Sequence, residues 1–148
     1  MVGATERSGR KTYFVLDCSM ALAWCFPDER AAHPAAVLDS LAARRAVVPG
    51  LWSYEIASAL LAGERRHRAT ADNTATWLRF LSQLPIAVDD EPVHRTWENS
   101  MAMARKYRLS AYDAAYIELA LRLSLPLATL DQPLQKAAKA ADVGLYSV

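Results

Sequence analysis

Short apolar runs alternate along this chain with longer stretches whose apolar positions recur every three or four residues, the two periods of strand and helix. The first run, TYFVLD at residues 12–17, predicts a buried strand ending on a carboxylate, and Ser19 is placed to N-cap a helix through MALAWCF. DERAAHPAAVLDSLAARR at 28–45 predicts a helix, bent or started at Pro34, that closes on arginines suited to a helix C-terminus. AVVP at 46–49 is a second short strand, followed by helices over 51–68 and 71–84. PIAVDD at 85–90 is a third strand, and residues 91–107 form a helix with Pro92 in its first turn. SAYDAAYIELALRLS is the next helix, LPLATLD at 125–131 a strand, PLQKAAKAA a helix and GLYSV a last short strand. Strands separated by helices imply a parallel sheet covered on both faces.

Composition narrows the class. At 148 residues the chain is sized for one domain, read here as residues 12–148, with the polar stretch 1–11 as a flexible leader. With 53% hydrophobic and 22% charged residues it has the balance of a soluble globular protein, and a net charge of +1 demands no nucleic-acid partner. Cys18 and Cys25 have no C-x-x-C spacing and read as reduced, small apolar residues. His33, His67 and His94 are scattered without ligand spacing and are expected at the surface. No run approaches the roughly 18 apolar residues of a membrane span, and the leader lacks the apolar stretch of a signal peptide. The expectation is a cytoplasmic protein with no membrane association.

Four carboxylates stand out. Asp17 and Asp131 each end a strand, and in open sheets of this class ligands bind beyond the carboxyl ends of the strands. Glu55 lies within an apolar stripe of Trp52, Ile56, Ala59 and Leu60. Asp113 is followed one turn later by Tyr116, Ile117 and Ala120, whereas Glu118 and Arg122 have the spacing of an exposed i, i+4 pair. Each acid also has a structural reading. Ser110 and Asp113 fit a capping box, Asp131 fits an N-cap, Asp17 fits a turn cap, and Glu55 can reach the rim of its stripe. The coincidence of four at one sheet edge favours a site. Two like charges about 4 Å apart repel by about 4 kcal/mol at an effective dielectric near 20, so such a cluster holds protons or a cation. Oxygen-only ligands favour Mg²⁺ or Mn²⁺ over zinc, and carboxylate-held divalent ions commonly serve phosphate esters.

VLDCSMALAW, VPGLWSYEIASAL, LSAYDAAYIELA and LATLDQPL, in that order, resemble the PIN-domain ribonucleases, specifically VapC-type toxins of toxin–antitoxin pairs. The resemblance runs from about Tyr13 to Tyr146. It implies a PIN-like three-layer α/β sandwich with a five-stranded parallel sheet, and Mg²⁺- or Mn²⁺-dependent endonucleolytic cleavage of RNA, commonly tRNA or rRNA, that inhibits translation. It further implies a VapB-like antitoxin as partner and a homodimeric toxin. Position by position, the family's four acids fall on Asp17, Glu55, Asp113 and Asp131, and its accompanying hydroxyls on Ser19 and Thr129. Many relatives carry Asn where this chain has Ser58, a shorter side chain still able to orient a carboxylate or water.

RNA reaching an acidic cleft calls for flanking cations. Arg65, Arg66 and Arg68, and Arg105, Lys106 and Arg108, are the candidates, although cations at helix C-termini explain both clusters as well. Trp24, Trp52, Trp77 and Trp97 mostly fall at core spacing and are not assigned to base stacking. SMALAWCF and the helices spanning 51–84 carry apolar surface for a dimer face or an antitoxin helix. Rival readings are a haloacid-dehalogenase-like phosphatase, a receiver-like signalling domain and a non-catalytic PIN-fold binding module. The first expects a second acid where Ser19 stands, the second paired early acids and a central phosphoacceptor, and the third fewer retained acids.

Overall fold

The computed structural model describes residues 13–27 and 31–148, so the leader at 1–11 and the segment 28–30 lie outside the described residues. Strands β1 (Tyr13–Leu16), β2 (Arg45–Val48), β3 (Ile86–Val88) and β4 (Leu127–Ala128) form one sheet in the order β3-β2-β1-β4, every pairing parallel. Helices α1 (Cys18–Cys25) and α2 (Ala32–Ser40) join β1 to β2; α3 (Leu51–Arg65) and α4 (Ala71–Ser82) join β2 to β3. The connection from β3 to β4 runs through α5 (Val93–Tyr107) and α6 (Ala111–Leu123), and α7 (Gln132–Ala140) follows β4.

The central strands have no polar face. Phe14, Val15 and Leu16 are fully buried, as are Ala46 and Val48, and such strands are stable only with both sheet faces covered. α6 lies against β1, β4, α5 and α7, burying Tyr116, Ile117, Leu119 and Ala120, while α1 packs on α2 and α3. The result is an α/β sandwich. Its chain builds outward from β1 to β2 and β3, then crosses back to set β4 on the other side of β1. That reversal makes a topological switch point between β1 and its neighbours, and in open parallel sheets ligands bind beyond the carboxyl ends of the strands at such a point.

Four sequence expectations need correction. The fifth strand is reduced to one parallel bridge between Leu127 and Leu145, made by Leu127 N–H to the Gly144 carbonyl and Tyr146 N–H to the Leu127 carbonyl, both 2.9 Å. β4 is only two residues long, because the next residue, Thr129, is engaged by Asp17, so it offers the outer segment few backbone partners. Side chains hold that segment instead. Tyr146 stacks on Phe14 with centroids 4.0 Å apart, and its hydroxyl donates to Ser40 Oγ at 2.8 Å.

Helix α1 starts at Cys18, which makes Asp17 and not Ser19 its N-cap residue, with no side-chain cap bond. The helix expected over 28–45 is described as Ala32–Ser40. Its arginines do not end it, because residues 41–44 turn and Arg45 extends to pair with Tyr13. Finally, Glu118 and Arg122 are no exposed pair. Glu118 is 4% exposed and accepts Arg122 Nε at 2.7 Å, while the same guanidinium donates to Asp89 at 2.6 Å, just past the end of β3. The end of β3 comes over this face of α6, a contact that helical spacing does not reveal.

Candidate active site

Asp17 is the first residue beyond β1 and is 6% exposed. Its backbone N–H continues the ladder to the Ala128 carbonyl at 2.9 Å, which fixes the carboxylate beside the end of β4. Two hydroxyls converge on one carboxylate oxygen: Ser19 Oγ donates to Oδ2 at 2.6 Å and Thr129 Oγ1 donates to it at 2.7 Å. Each hydroxyl in turn accepts a backbone N–H, Leu130 to Ser19 at 2.9 Å and Asp131 to Thr129 at 3.1 Å. Each hydroxyl has a single proton to give, and in both cases the shortest partner is Asp17; the two hydroxyls also lie 3.3 Å from each other. No side chain among the described residues donates to Oδ1 of Asp17, so that oxygen is available to a ligand.

Glu55 stands in the second turn of α3 and is half-buried, beside buried Trp52 and Ile56. Its Oε1 accepts the hydroxyl of Tyr116 at 2.6 Å. Asp113 is half-buried in the first turn of α6, where Ser110 caps the helix by accepting its N–H at 3.1 Å. The reciprocal half of a capping box is missing, and the Asp113 carboxylate takes no hydrogen bond among the described residues. Asp131 does act as a cap: its Oδ1 accepts Leu134 N–H at 3.1 Å at the start of α7. Capping and membership of the cluster coexist there.

The four acids feel one another. Burial raises the Asp17 carboxyl above its ordinary value near 3.8; the Ser19 and Thr129 hydroxyls pull it back, and the charge on Asp131 adds to the rise. Burial likewise raises Glu55, opposed by the Tyr116 bond and reinforced by the charges of Asp17 and Asp113. Asp113 is raised by burial, then by Asp131 and Asp17. Among the described residues, no lysine or arginine figures among the groups acting on these three, and only hydrogen bonds such as those of Ser19, Thr129 and Tyr116 counter the rise. Even Cys18 is affected, its thiol pushed up by burial and by Glu55 and Asp17.

The donor set is all oxygen and carries excess negative charge, which fits a hard divalent cation. As the side chains stand, no three His, Cys, Asp or Glu residues among those described are gathered closely enough to hold an ion. The four acids therefore share one field without being drawn into one ligand sphere.

The remaining candidates are more dispersed. Ser58 is exposed on α3. Arg65, Arg66 and Arg68 are exposed at the far end of α3, with Arg65 ten residues beyond Glu55, about 15 Å along the axis at 1.5 Å per residue. Arg68 lies 4.4 Å over the Phe26 ring. Arg105, Lys106 and Arg108 are exposed at the end of α5 and in the turn that leads directly to Ser110 and Asp113. Trp24 and Trp52 are core residues, but Trp97 is 59% exposed. In the sequence Tyr116 reads only as an apolar neighbour of Asp113, because a tyrosine on an apolar face reads as core. A buried phenol needs a hydrogen-bond partner, and that need is the available signal.

Comparison with known proteins bears on the family and the fold. The chain is 28% identical over 120 residues to Ribonuclease VapC3 of Pyrobaculum aerophilum, covering 81% of this chain and 90% of that protein. In three dimensions it resembles PAE2754 from Pyrobaculum aerophilum with a TM-score of 0.63 at 23% identity, over 85% of this chain and 84% of that one. It also resembles FitAcB from Neisseria gonorrhoeae, with a TM-score of 0.58 at 20% identity over 90% and 96% of the two chains. These two likenesses establish the shared fold. The pattern defining the PIN domain matches residues 14–140, which sets aside the phosphatase and receiver readings. The chain belongs to the PIN-domain family.

Proposed function

We propose that this protein is the toxin of a type II toxin–antitoxin pair, a VapC-type endoribonuclease dependent on Mg²⁺ or Mn²⁺. The observation that carries the reading is the set of Asp17, Glu55, Asp113 and Asp131 beyond the strand ends, where neighbouring acids raise one another's proton affinity and no cation among the described residues acts on them. The likeness to a protein named Ribonuclease VapC3 supports the same chemistry.

In this reading Asp17, Glu55 and Asp113 hold the principal ion, directly or through water, and Asp131 completes the pocket or supports a second ion. A hard divalent cation supplies charge neutralisation at the phosphate and a more acidic water. The protein supplies the rest. Ser19 and Thr129 fix one oxygen of Asp17, leaving the other to face the ligand. A neighbouring carboxylate takes the proton of the attacking water, and the leaving 3′ oxygen departs in line, giving 5′-phosphate and 3′-hydroxyl ends. Ser58, on the exposed face of α3, orients water at the rim.

The substrate is single-stranded or loop RNA, of tRNA or rRNA, whose phosphates are guided by Arg105, Lys106 and Arg108 and by Arg65, Arg66 and Arg68. A VapB-like antitoxin neutralises the enzyme by laying a helix on apolar surface and setting an arginine among the acids. The toxin itself works as a homodimer.

The test is cleavage by purified protein with Mg²⁺ or Mn²⁺, with and without the antitoxin, followed by sequencing of the RNA ends. Metal-dependent cuts with 5′-phosphate ends, suppressed by antitoxin, are expected. Cleavage that persists in chelator, or ends of the opposite polarity, would refute the proposal.

A further inference from the structure

We infer that Tyr116 is a positioning residue that aims Glu55 into the acid cluster, so that Glu55 presents a single oxygen to the cation. This rests on the metal-dependent reading above and deepens it. The phenol is fully buried in α6, one turn after Asp113, and donates to Glu55 Oε1 at 2.6 Å across to α3. The two residues are 61 positions apart, so this bond ties the two site helices to each other at the level of the acids. A hydroxyl on a ring packed on all sides has little freedom to rotate away, and a hydrogen bond to a carboxylate is among the stronger kinds.

The pairing repeats a pattern seen at Asp17. There, Ser19 and Thr129 load Oδ2 and leave Oδ1 without a side-chain donor. At Glu55, Tyr116 loads Oε1, and Oε2 receives no hydrogen bond among the described residues. Two acids from different elements are thus each tethered by one oxygen. That presentation suits Mg²⁺, which demands near-octahedral geometry, keeps several waters and gains little from a carboxylate that chelates with both oxygens. Asp113 has no such tether, so α3 needs the phenol to bring Glu55 into a fixed pose beside it.

Tyr116→Phe removes one oxygen and keeps the ring in place. Mn²⁺ titration of the purified chain without RNA is expected to show about tenfold weaker binding in the variant, with the melting temperature little changed. With RNA and saturating Mn²⁺, kcat should recover most of its loss while KM for RNA stays put. Adding Tyr116→Phe to Glu55→Gln should cost nothing further in Mn²⁺ affinity, because the phenol acts through that carboxylate.

A purely structural tyrosine would lower the melting temperature and leave the Mn²⁺ affinity unmoved, and that result overturns the inference. So would equal losses from Tyr116→Phe in the wild-type and Glu55→Gln backgrounds. Should the variant fail to fold, the wild-type chain still decides. Mn²⁺ should perturb the ultraviolet difference band of a buried tyrosine, Glu55→Gln should abolish that signal, and a silent wild-type spectrum counts against the inference. Asp17→Asn separates the two levels of the argument: if it leaves Mn²⁺ binding intact, the metal site itself is wrong. If it weakens binding and Tyr116→Phe does not, only the role of Tyr116 fails.

Discussion

Two groups of acids flank the ends of helix α6, and they are built on opposite principles. Near its C-terminal end, Glu118 and Asp89 share one guanidinium: Arg122 donates to Glu118 at 2.7 and 3.2 Å and to Asp89 at 2.6 and 3.3 Å. Near its N-terminal end, Asp113 shares the field of Asp17, Glu55 and Asp131, and no cation among the described residues acts on it or on Glu55. The first group is a tie between β3 and α6 and holds its charge at home, which raises the proton affinity of Arg122 further. The second leaves charge unsatisfied beyond the strand ends. The acids of the first group, supplied with their own arginine, serve the fold; those of the second are the ones proposed to take a ligand.

The largest effect that can break this contrast lies at the second group. Asp17→Asn or Asp113→Asn should slow RNA cleavage at least about a hundredfold while the far-ultraviolet spectrum and melting temperature hold. Wild-type rates from either variant would place the chemistry elsewhere.

Next comes the first group. Arg122→Met strands a nearly buried Glu118 and should destabilise the fold by about 3 kcal/mol in chemical denaturation. Replacing Glu118 with Gln in the same chain should return part of that loss, since a neutral amide is less costly to bury than an unpaired carboxylate.

The third prediction separates the groups by pH. The carboxyls of Asp17, Glu55 and Asp113 bind protons more tightly folded than unfolded. Their contribution to stability is therefore full below the ordinary range, 3.8 for aspartate and 4.5 for glutamate, and is lost as pH rises through their raised folded values. Without divalent ions the melting temperature should fall as pH climbs from about 4 towards 7, by about 3 °C for each kcal/mol lost. Mg²⁺ should restore it near neutrality and do little at pH 4. In Asp17→Asn both the fall and the recovery should shrink.

The smallest effect concerns the hydroxyls. Ser19→Ala removes one donor from Asp17 and leaves Leu130 N–H without its acceptor, for about 1 kcal/mol by denaturation. Thr129→Val should cost more, because it also releases Asp131 N–H within a buried setting.

Much of this arrangement was legible in the sequence, and the limits have physical causes. β1, β2 and β4 are readable because buried parallel strands are unbroken apolar runs, and the acids that end β1 and follow β4 are conspicuous for that reason. The acids on α3 and α6 showed themselves by sitting on faces that should be apolar. Glu118 was misjudged because i, i+4 spacing to Arg122 is the same on an exposed helix. The difference is Asp89, which arrives from 33 residues away to share the guanidinium of Arg122, while Glu118 is buried beneath it. The outer strand was over-read because GLYSV has strand composition, whereas its pairing depends on how many residues β4 leaves free. Tyr116 escaped notice because its partner, Glu55, comes from another helix.

The bonds from Ser19 and Thr129 to Asp17 span 2 and 112 positions, and Ser19 lies 110 positions from Thr129. Contacts of that span close late, and a chain leaving the ribosome N-terminus first cannot make them before residue 129 has emerged. The first acid is translated early with Ser19 beside it, yet it lacks its second donor, Thr129, through most of synthesis. The site proposed for catalysis is thereby completed only when the nascent polypeptide is nearly finished.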